Sequence, residues 1–290
     1  MSEYSSNLVA VVSGASRGVG RGIATALGRI GATVYVVGRT QDADAPRAVG
    51  ETVLPGTIHE TAALVDQAGG RGIAVACDLA NDRQICDLIR RVEVEQGRLD
   101  VLVNNAVFIH DEMAKPVPFW ERPLGVADIM NVGLRCHYVM SHQAAPLMVR
   151  QGSGLIINIS FYGAVALSPE PAYGASKAGL DKMAFDMAAQ LRPHNVTALS
   201  LWPGYVATER VQRMADQSPE LAAQLPNFES PDLTGNVIAA LARDPDLASL
   251  SGRTLIVAEL ANGYGIREAD GRQPASMRDI LASPLAAFGN

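Results

Sequence analysis

Apolar and polar positions alternate in two rhythms along this chain. Seven short runs, LVAVVS (8–13), TVYVVG (33–38), GIAVAC (72–77), DVLVNN (100–105), LIINIS (155–160), TALSLW (197–202) and RTLIVA (253–258), are rich in aliphatic and β-branched residues and nearly free of charge. Runs this apolar read as strands buried on both faces, as in a parallel sheet. Between them the period lengthens: Ile85, Leu88, Ile89 and Val92 recur at helical steps, as do Leu180, Met183, Met187 and Leu191. The alternation predicts an α/β protein, a Rossmann-type doubly wound parallel seven-stranded sheet flanked by helices on both faces, forming a single domain over residues 1–290.

Three stretches break the rhythm, 40–56, 107–123 and 205–232. The first is an insertion before a helix expected to start at Thr57. The other two follow strands, and loops at the carboxyl ends of strands are the natural pocket walls of an open α/β sheet. The tail, 260–290, has no clear period and is expected to fold over that pocket.

A chain of 290 residues with 48% hydrophobic and 19% charged content has enough apolar material for a large core. Its formal charge of −6, without clustered Lys and Arg, argues against nucleic acid and anionic membranes as partners and for a small-molecule substrate. Cys77, Cys86 and Cys136 lack CxxC spacing and the five histidines lack metal-ligand spacing, so neither a disulfide framework nor a metal is expected. The first apolar run is too short for a signal-peptide core, and no run approaches the ~20 residues of a membrane span. A cytoplasmic protein is the expectation.

The segment SGASRGVGRGIA (13–24) follows the first predicted strand and opens a helix. Gly14, Gly18 and Gly20, with Ser16, Arg17 and Val19 in the same turn, stand where backbone turns tightly and approaches a pyrophosphate at a helix N-terminus. The Gly-x-x-x-Gly-x-Gly spacing differs from the Gly-x-Gly-x-x-Gly of many dehydrogenases, and a plain strand-to-helix turn is the bland alternative. Roughly twenty residues on, where an acid would hold the ribose hydroxyls of NAD, the chain has Arg39. Arg39, with Arg17 as a second cation, suits a 2′-phosphate, which favours NADP(H), with NAD(H) as the alternative.

The stretch SFYGAVALSPEPAYGASK (160–177) has two tyrosines, and only Tyr173 is followed four residues later by a lysine, Lys177. On a helix the pair shares one face. A phenol with a pKa near 10 is a poor acid or base at neutral pH, and a lysine charge at ~4 Å and an effective dielectric of ~20 would favour the phenolate by about 4 kcal/mol before any cost of desolvation. That brings an acid/base near neutrality within reach. Ser160, at the carboxyl end of the fifth run, is placed to hold a substrate oxygen.

In this order the motifs resemble the short-chain dehydrogenase/reductase family in its single-domain form: the glycine loop, Asp78, Asn104-Asn105-Ala106, Asn131, Ser160, Tyr173, Lys177 and Pro203-Gly204. The resemblance implies that Tyr173 exchanges a proton with the carbonyl oxygen and that Ser160 bonds the same oxygen. It implies that Lys177 lowers the Tyr173 pKa and holds the nicotinamide ribose, while Asn131 fixes a water linking Lys177 to solvent. Asp78 would face the adenine, Asn104 the adenosine ribose, and Val206 and Thr208, after Pro203-Gly204, the carboxamide; Leu79 and Ala106 complete the cofactor-binding set. It also implies a homodimer or homotetramer paired through the helices of Asn131 and Tyr173; Ala175, Ala178 and Gly179 would permit close helix approach and would equally suit packing on the sheet.

Two departures stand out. Val107 follows Asn-Asn-Ala where the family usually has glycine, and Phe161 stands where a second serine is usual. Tyr162 is then a pocket wall, and His110, Phe119 and Trp120 are further candidate lining residues. Segments 119–123, 131–138, 200–209 and 264–272 resemble the dehydrogenase/reductase member 1-like subgroup, which implies an NADPH-dependent carbonyl reductase acting on steroid-like or xenobiotic ketones. The competing readings are an NAD-linked dehydrogenase of a small or acyl-linked alcohol and a dinucleotide-binding sensor or scaffold without turnover.

Overall fold

The computed structural model describes residues 8–42 and 53–285, so most of the 40–56 insertion and the last five residues of the tail lie outside it. Seven parallel strands, β1 (Val9–Ser13), β2 (Thr33–Gly38), β3 (Arg71–Ala76), β4 (Val101–Asn104), β5 (Gly154–Ile159), β6 (Val196–Trp202) and β7 (Thr254–Ile256), form one sheet in the order β3-β2-β1-β4-β5-β6-β7. Six of the seven apolar runs match these strands closely. The seventh is shorter than its run: Val257 and Ala258, though buried, open the helix Val257–Gly263.

Successive residues of a strand point to opposite faces, so each strand feeds two cores. Ala10 and Val12 join Val34, Val36, Val101 and Val103 on one side, while Val9 and Val11 join Tyr35, Val37 and Leu102 on the other. Because β1 lies between β2 and β4, the connections leaving it and β4 run to opposite sides and open a crevice at the carboxyl ends of the strands.

The helices follow from their caps and stripes. Helix α1 (Gly18–Arg29) follows β1, and α2 (Ile58–Gln67) starts after Thr57, whose hydroxyl accepts from the Glu60 N–H at 3.0 Å while the Glu60 carboxylate accepts from the Thr57 N–H at 2.9 Å. Such a reciprocal cap stabilises a helix start by about 1 kcal/mol. In α3 (Asp82–Gln96) the stripe Ile85, Leu88, Ile89 and Val92 is buried as its spacing predicts.

In the helix Pro171–Leu191 the buried stripe is Lys177, Leu180, Asp181, Ala184, Ala188 and Leu191, with Met183 and Met187 only half-buried beside it. The apolar spacing thus located the helix but misjudged its inward face, which includes two ionisable side chains. Gly179 has an internal packing role: a Cβ there would stand 2.8 Å from Leu134 Cδ1. Among the described residues no helix is long and apolar enough to cross a membrane.

Candidate active site

At the switch point the chain forms a cavity of about 300 Å³ lined by Gly14, Ser16, Gly18, Val19 and Gly20. Backbone makes this wall. Gly14 has φ of 65°, and a Cβ on it would lie 2.7 Å from Ala106 Cα; a Cβ on Gly20 would lie 2.3 Å from the Gly14 carbonyl oxygen. Only glycine fits either place. Ser13 ties the wall to β4, its hydroxyl donating to the Val103 carbonyl and accepting from the N–H groups of Asn105 and Ala106. Asp78 and Leu79, Ala106 and Thr208 line the same cavity, and Arg39 stands exposed at its edge.

Asn104 is not part of that wall. It is fully buried, and its amide donates to Ser141 Oγ at 2.9 Å and to Asn158 Oδ1 at 3.0 Å, so its side chain faces the core between sheet and helix. The lining residue is its neighbour Asn105, whose amide donates to the Ser13 and Gly14 carbonyls. Adjacent residues of a strand point to opposite faces, so the Asn104 side chain is turned away from the crevice and that of Asn105 toward it.

Arg17 lines the cavity, but its Nε donates to the Pro55 carbonyl at 2.9 Å and its Nη2 to the Gly56 carbonyl at 2.9 Å and to Thr40 Oγ1 at 3.2 Å. It braces the end of the insertion against the glycine loop, and Arg39 lines the same cavity. Glu209, at the start of the helix Glu209–Ala215, accepts from the Gly18 N–H at 2.9 Å and pairs with Arg21. A carboxylate therefore already sits on the first turn of α1, where N–H groups attract anions. Sequence reasoning missed it, because Glu209 lies 191 residues from Gly18.

A second cavity, of about 590 Å³, adjoins the first through Leu54, Ile109 and Arg210, which line both. Tyr173 lines its inner end, and His110, Met113 and Met214 line its sides. Phe119 and Trp120, 59% and 71% exposed, project into solvent instead. Their loop has a different use: Arg122, buried, donates to Glu170 Oε2 at 2.6 Å and to the Pro169 carbonyl at 2.8 Å, while Glu170 Oε1 caps the Tyr173 helix through the Ala172 N–H. The loop after β4 is thereby locked to the start of that helix.

Around Tyr173 lie Lys177, which is buried, and the rings of Phe161 and Tyr205. The Lys177 ammonium lies 5.5 Å from the centroid of the Tyr173 ring and donates to the Ile159 carbonyl at 2.9 Å. Burial pushes Lys177 down to about 8 and pushes the Tyr173 phenol well above its usual value, with the neighbouring Tyr205 adding to the rise. The expected attraction between ammonium and phenolate is thus outweighed by desolvation, and Tyr173 is a protonated donor at neutral pH. Phe161 packs edge-on to Tyr173, with ring centroids 6.4 Å apart, and also touches Tyr205.

Ser160 is 3% exposed and its hydroxyl donates to the Lys177 carbonyl at 3.0 Å. Asn131 falls in a kinked stretch, Asn131–Arg135, where Val132 and Gly133 leave helical geometry; it is exposed and its amide donates to Asp128 at 3.1 Å. The buried neighbour of Lys177 from this region is His137, held neutral by burial at about 3, with Nε2 bonded to the Ala106 carbonyl at 2.8 Å. Pro203, Gly204 and Val206 are buried behind the crevice, Val206 bridging to Glu229.

Tyr162 is a core residue and not a pocket wall. It is 1% exposed, packs on Trp202, and its hydroxyl accepts from the Met277 N–H at 3.2 Å. The tail packs against this cluster and lines neither cavity: Met277, Leu281 and Ala282 lie on Tyr162 and Trp202, and Arg272 is bonded to the Asn227 and Phe228 carbonyls. Among the described residues no group of His, Cys, Asp or Glu could hold a metal ion.

A glycine-walled crevice at the switch point of a parallel sheet, with a Tyr-x-x-x-Lys pair beside it whose lysine is buried, is the arrangement of a dinucleotide-dependent oxidoreductase of the doubly wound class. The chain belongs to the short chain dehydrogenase family, whose model matches residues 8–219. It is 41% identical over 276 residues to dehydrogenase/reductase SDR family member 1 of Mus musculus, covering 91% of this chain and 84% of that protein, and falls in the same subgroup. It is 31% identical to a 3-oxoacyl-[acyl-carrier-protein] reductase of Synechocystis, covering 86% of this chain and 94% of that one. Among solved structures, a Beutenbergia cavernae protein described as an NAD(P)-dependent gluconate 5-dehydrogenase, with NADP bound at low occupancy, superposes with a TM-score of 0.71 at 28% identity, over 86% of this chain and 94% of that one.

Proposed function

We propose that the chain is an NADP(H)-dependent oxidoreductase that interconverts a carbonyl and a secondary alcohol, with Tyr173 as general acid/base. The observation that carries this reading is the place of Tyr173, a half-buried proton donor lining the larger cavity, which adjoins the crevice walled by glycine. That crevice fits a dinucleotide: Gly14 and Gly20 leave backbone exposed to it, and the first turn of α1 already receives an anionic carboxylate.

When bound, the nicotinamide would supply or accept the hydride. The chain's own residues do the rest. Tyr173 gives its proton to the carbonyl oxygen during reduction and takes it back during oxidation. Lys177, cationic below about 8, favours the phenolate left behind and holds the ribose. Ser160 supports the same oxygen by turning its hydroxyl from the Lys177 carbonyl toward the substrate. Arg39 selects NADP(H) through the 2′-phosphate. The apolar walls formed by Leu54, Ile109, Met113 and Met214 suit a steroid-like or xenobiotic ketone. Assembly as a homodimer or homotetramer belongs to the same reading and is checked by light scattering.

The test is titration with NADPH and NADH, then NADPH consumption against a panel of ketones for the natural chain and Tyr173→Phe. Expected are tighter binding of NADPH, turnover of at least one bulky ketone, and a loss of about 10²- to 10⁴-fold in turnover for Tyr173→Phe with nucleotide affinity unchanged. Binding without turnover, and no difference in the variant, would move the reading to a dinucleotide sensor.

A further inference from the structure

The inward face of the Pro171–Leu191 helix continues past Tyr173 and Lys177 to a third titratable group, Asp181, one more turn along. It is 2% exposed. Its carboxylate accepts from Ser200 Oγ at 2.6 Å and from Trp202 Nε1 at 3.0 Å, both donors coming from β6. A carboxylate in such a place is costly to bury unless it is paired, and none of the reaction steps above uses it.

The charges around Lys177 give it a use. On its own helix Lys177 has Tyr173 one turn before it and Asp181 one turn after it, both toward the buried side; from β5 it bonds the Ile159 carbonyl, and Cys136 and His137 of the helix Cys136–Gln151 are near enough to act on it electrostatically. Near pH 7 Tyr173 is a neutral phenol, the Cys136 thiol is pushed up to about 12 by burial, and His137 is a neutral imidazole. Asp181, raised to about 6 by burial and restrained by its bonds to Ser200 and Trp202, is ionised. Among these neighbours it is the one that opposes the lysine's charge.

We propose that Asp181 is a positioning residue for the reaction, a buried countercharge that keeps Lys177 protonated beside Tyr173 and is itself held by Ser200 and Trp202. The inference rests on the acid/base reading of Tyr173 and Lys177. Without the carboxylate, the low-dielectric surroundings drive the proton from Lys177 at lower pH. At the ~6 Å spacing of one helical turn and an effective dielectric of ~20, the loss amounts to about one to two pH units.

The experiment compares the pH profile of kcat/KM for the natural chain, Asp181→Asn and Ser200→Ala. In Asp181→Asn the alkaline limb moves from about 8 to lower pH by one unit or more. In Ser200→Ala, which removes a bond from the same carboxylate but keeps its charge, the limb stays in place. Equal limbs in all three folded proteins would overturn the proposal, since a merely structural Asp181 lowers stability in both variants without moving a limb. A second readout needs neither turnover nor a folded Asp181→Asn: by reciprocity, Lys177→Met raises the titration of the Asp181 carboxyl, followed by NMR of carboxyl-labelled aspartate, by one unit or more. An unchanged Asp181 titration there rejects the coupling. Full turnover in Tyr173→Phe rejects the acid/base reading and this inference with it, whereas lost turnover in Tyr173→Phe with unmoved limbs rejects this inference alone.

Discussion

The two sides of the crevice are made of different materials. On the β1–β4 side the wall is backbone: Gly14 and Gly20 are glycine because a Cβ would strike Ala106 or the Gly14 carbonyl. On the β5–β6 side the wall is backed by buried ionisable groups, Lys177, Asp181 and Glu229, each moved from its usual titration range by desolvation. The first side is governed by contact distances of a few tenths of an ångström, the second by protonation. Changes on the first should therefore act equally at every pH, and changes on the second should act through pH.

Gly20→Val is the largest expected disruption. Its side chain cannot fit beside a carbonyl 2.3 Å away from its own Cβ, so the turn must open. Nucleotide affinity should fall more than about 100-fold, or the fold should lose a few kcal/mol, with the same loss at pH 6 and pH 9. Nucleotide titration and thermal melts at both pH values check it; a loss confined to one pH would erase the contrast between the two sides.

Glu229→Gln probes the other side through stability. Glu229 is 3% exposed, and burial raises its pKa from 4.5 to about 7 against a restraining backbone hydrogen bond from Gly204. The folded state holds this proton more tightly than the unfolded chain, so the natural protein loses stability as pH rises from 4.5 to 7 and stays level above. The loss is about 3 kcal/mol at most. Glu229→Gln should abolish this fall and melt higher than the natural chain at pH 8, while matching it near pH 4.

The smallest effect sharpens the cofactor side. Arg39→Gln should weaken NADPH roughly tenfold, leave NADH nearly unchanged, and reduce the salt dependence of NADPH binding. If both nucleotides weaken together, Arg39 supports the turn and does not read the phosphate.

Much of this was legible in the sequence, for identifiable reasons. The strands showed because a sheet covered on both faces leaves no polar period to confuse the pattern. Tyr173 and Lys177 showed because one helical turn joins them. The glycine loop showed because its positions are demanded locally. The inward turn of the Asn104 side chain did not show, because neighbouring residues of a strand differ only in the face they take, and the partners on that face, Ser141 and Asn158, lie far along the chain. Arg17 looked free because its partners, Pro55 and Gly56, sit at the end of an insertion with no periodic signal. Asp181 carried a signal that was overlooked: residues 177, 181, 184 and 188 have the spacing of one helical face as well as 180, 183, 187 and 191 do.

What the sequence determined by itself was whatever depends on neighbours in the chain: the alternation of strands and helices, the glycine turn, the cap at Thr57, the Tyr-x-x-x-Lys pair and membership in a family of dinucleotide-dependent oxidoreductases. Only the tertiary structure decided the rest. It put Glu209 on the first turn of α1, turned Asn104 into the core, drew the tail onto Tyr162 and brought Ser200 and Trp202 to Asp181. The physical reason is that backbone geometry is a local property, whereas burial and the electric field at a site are summed over segments that meet only when the chain has folded.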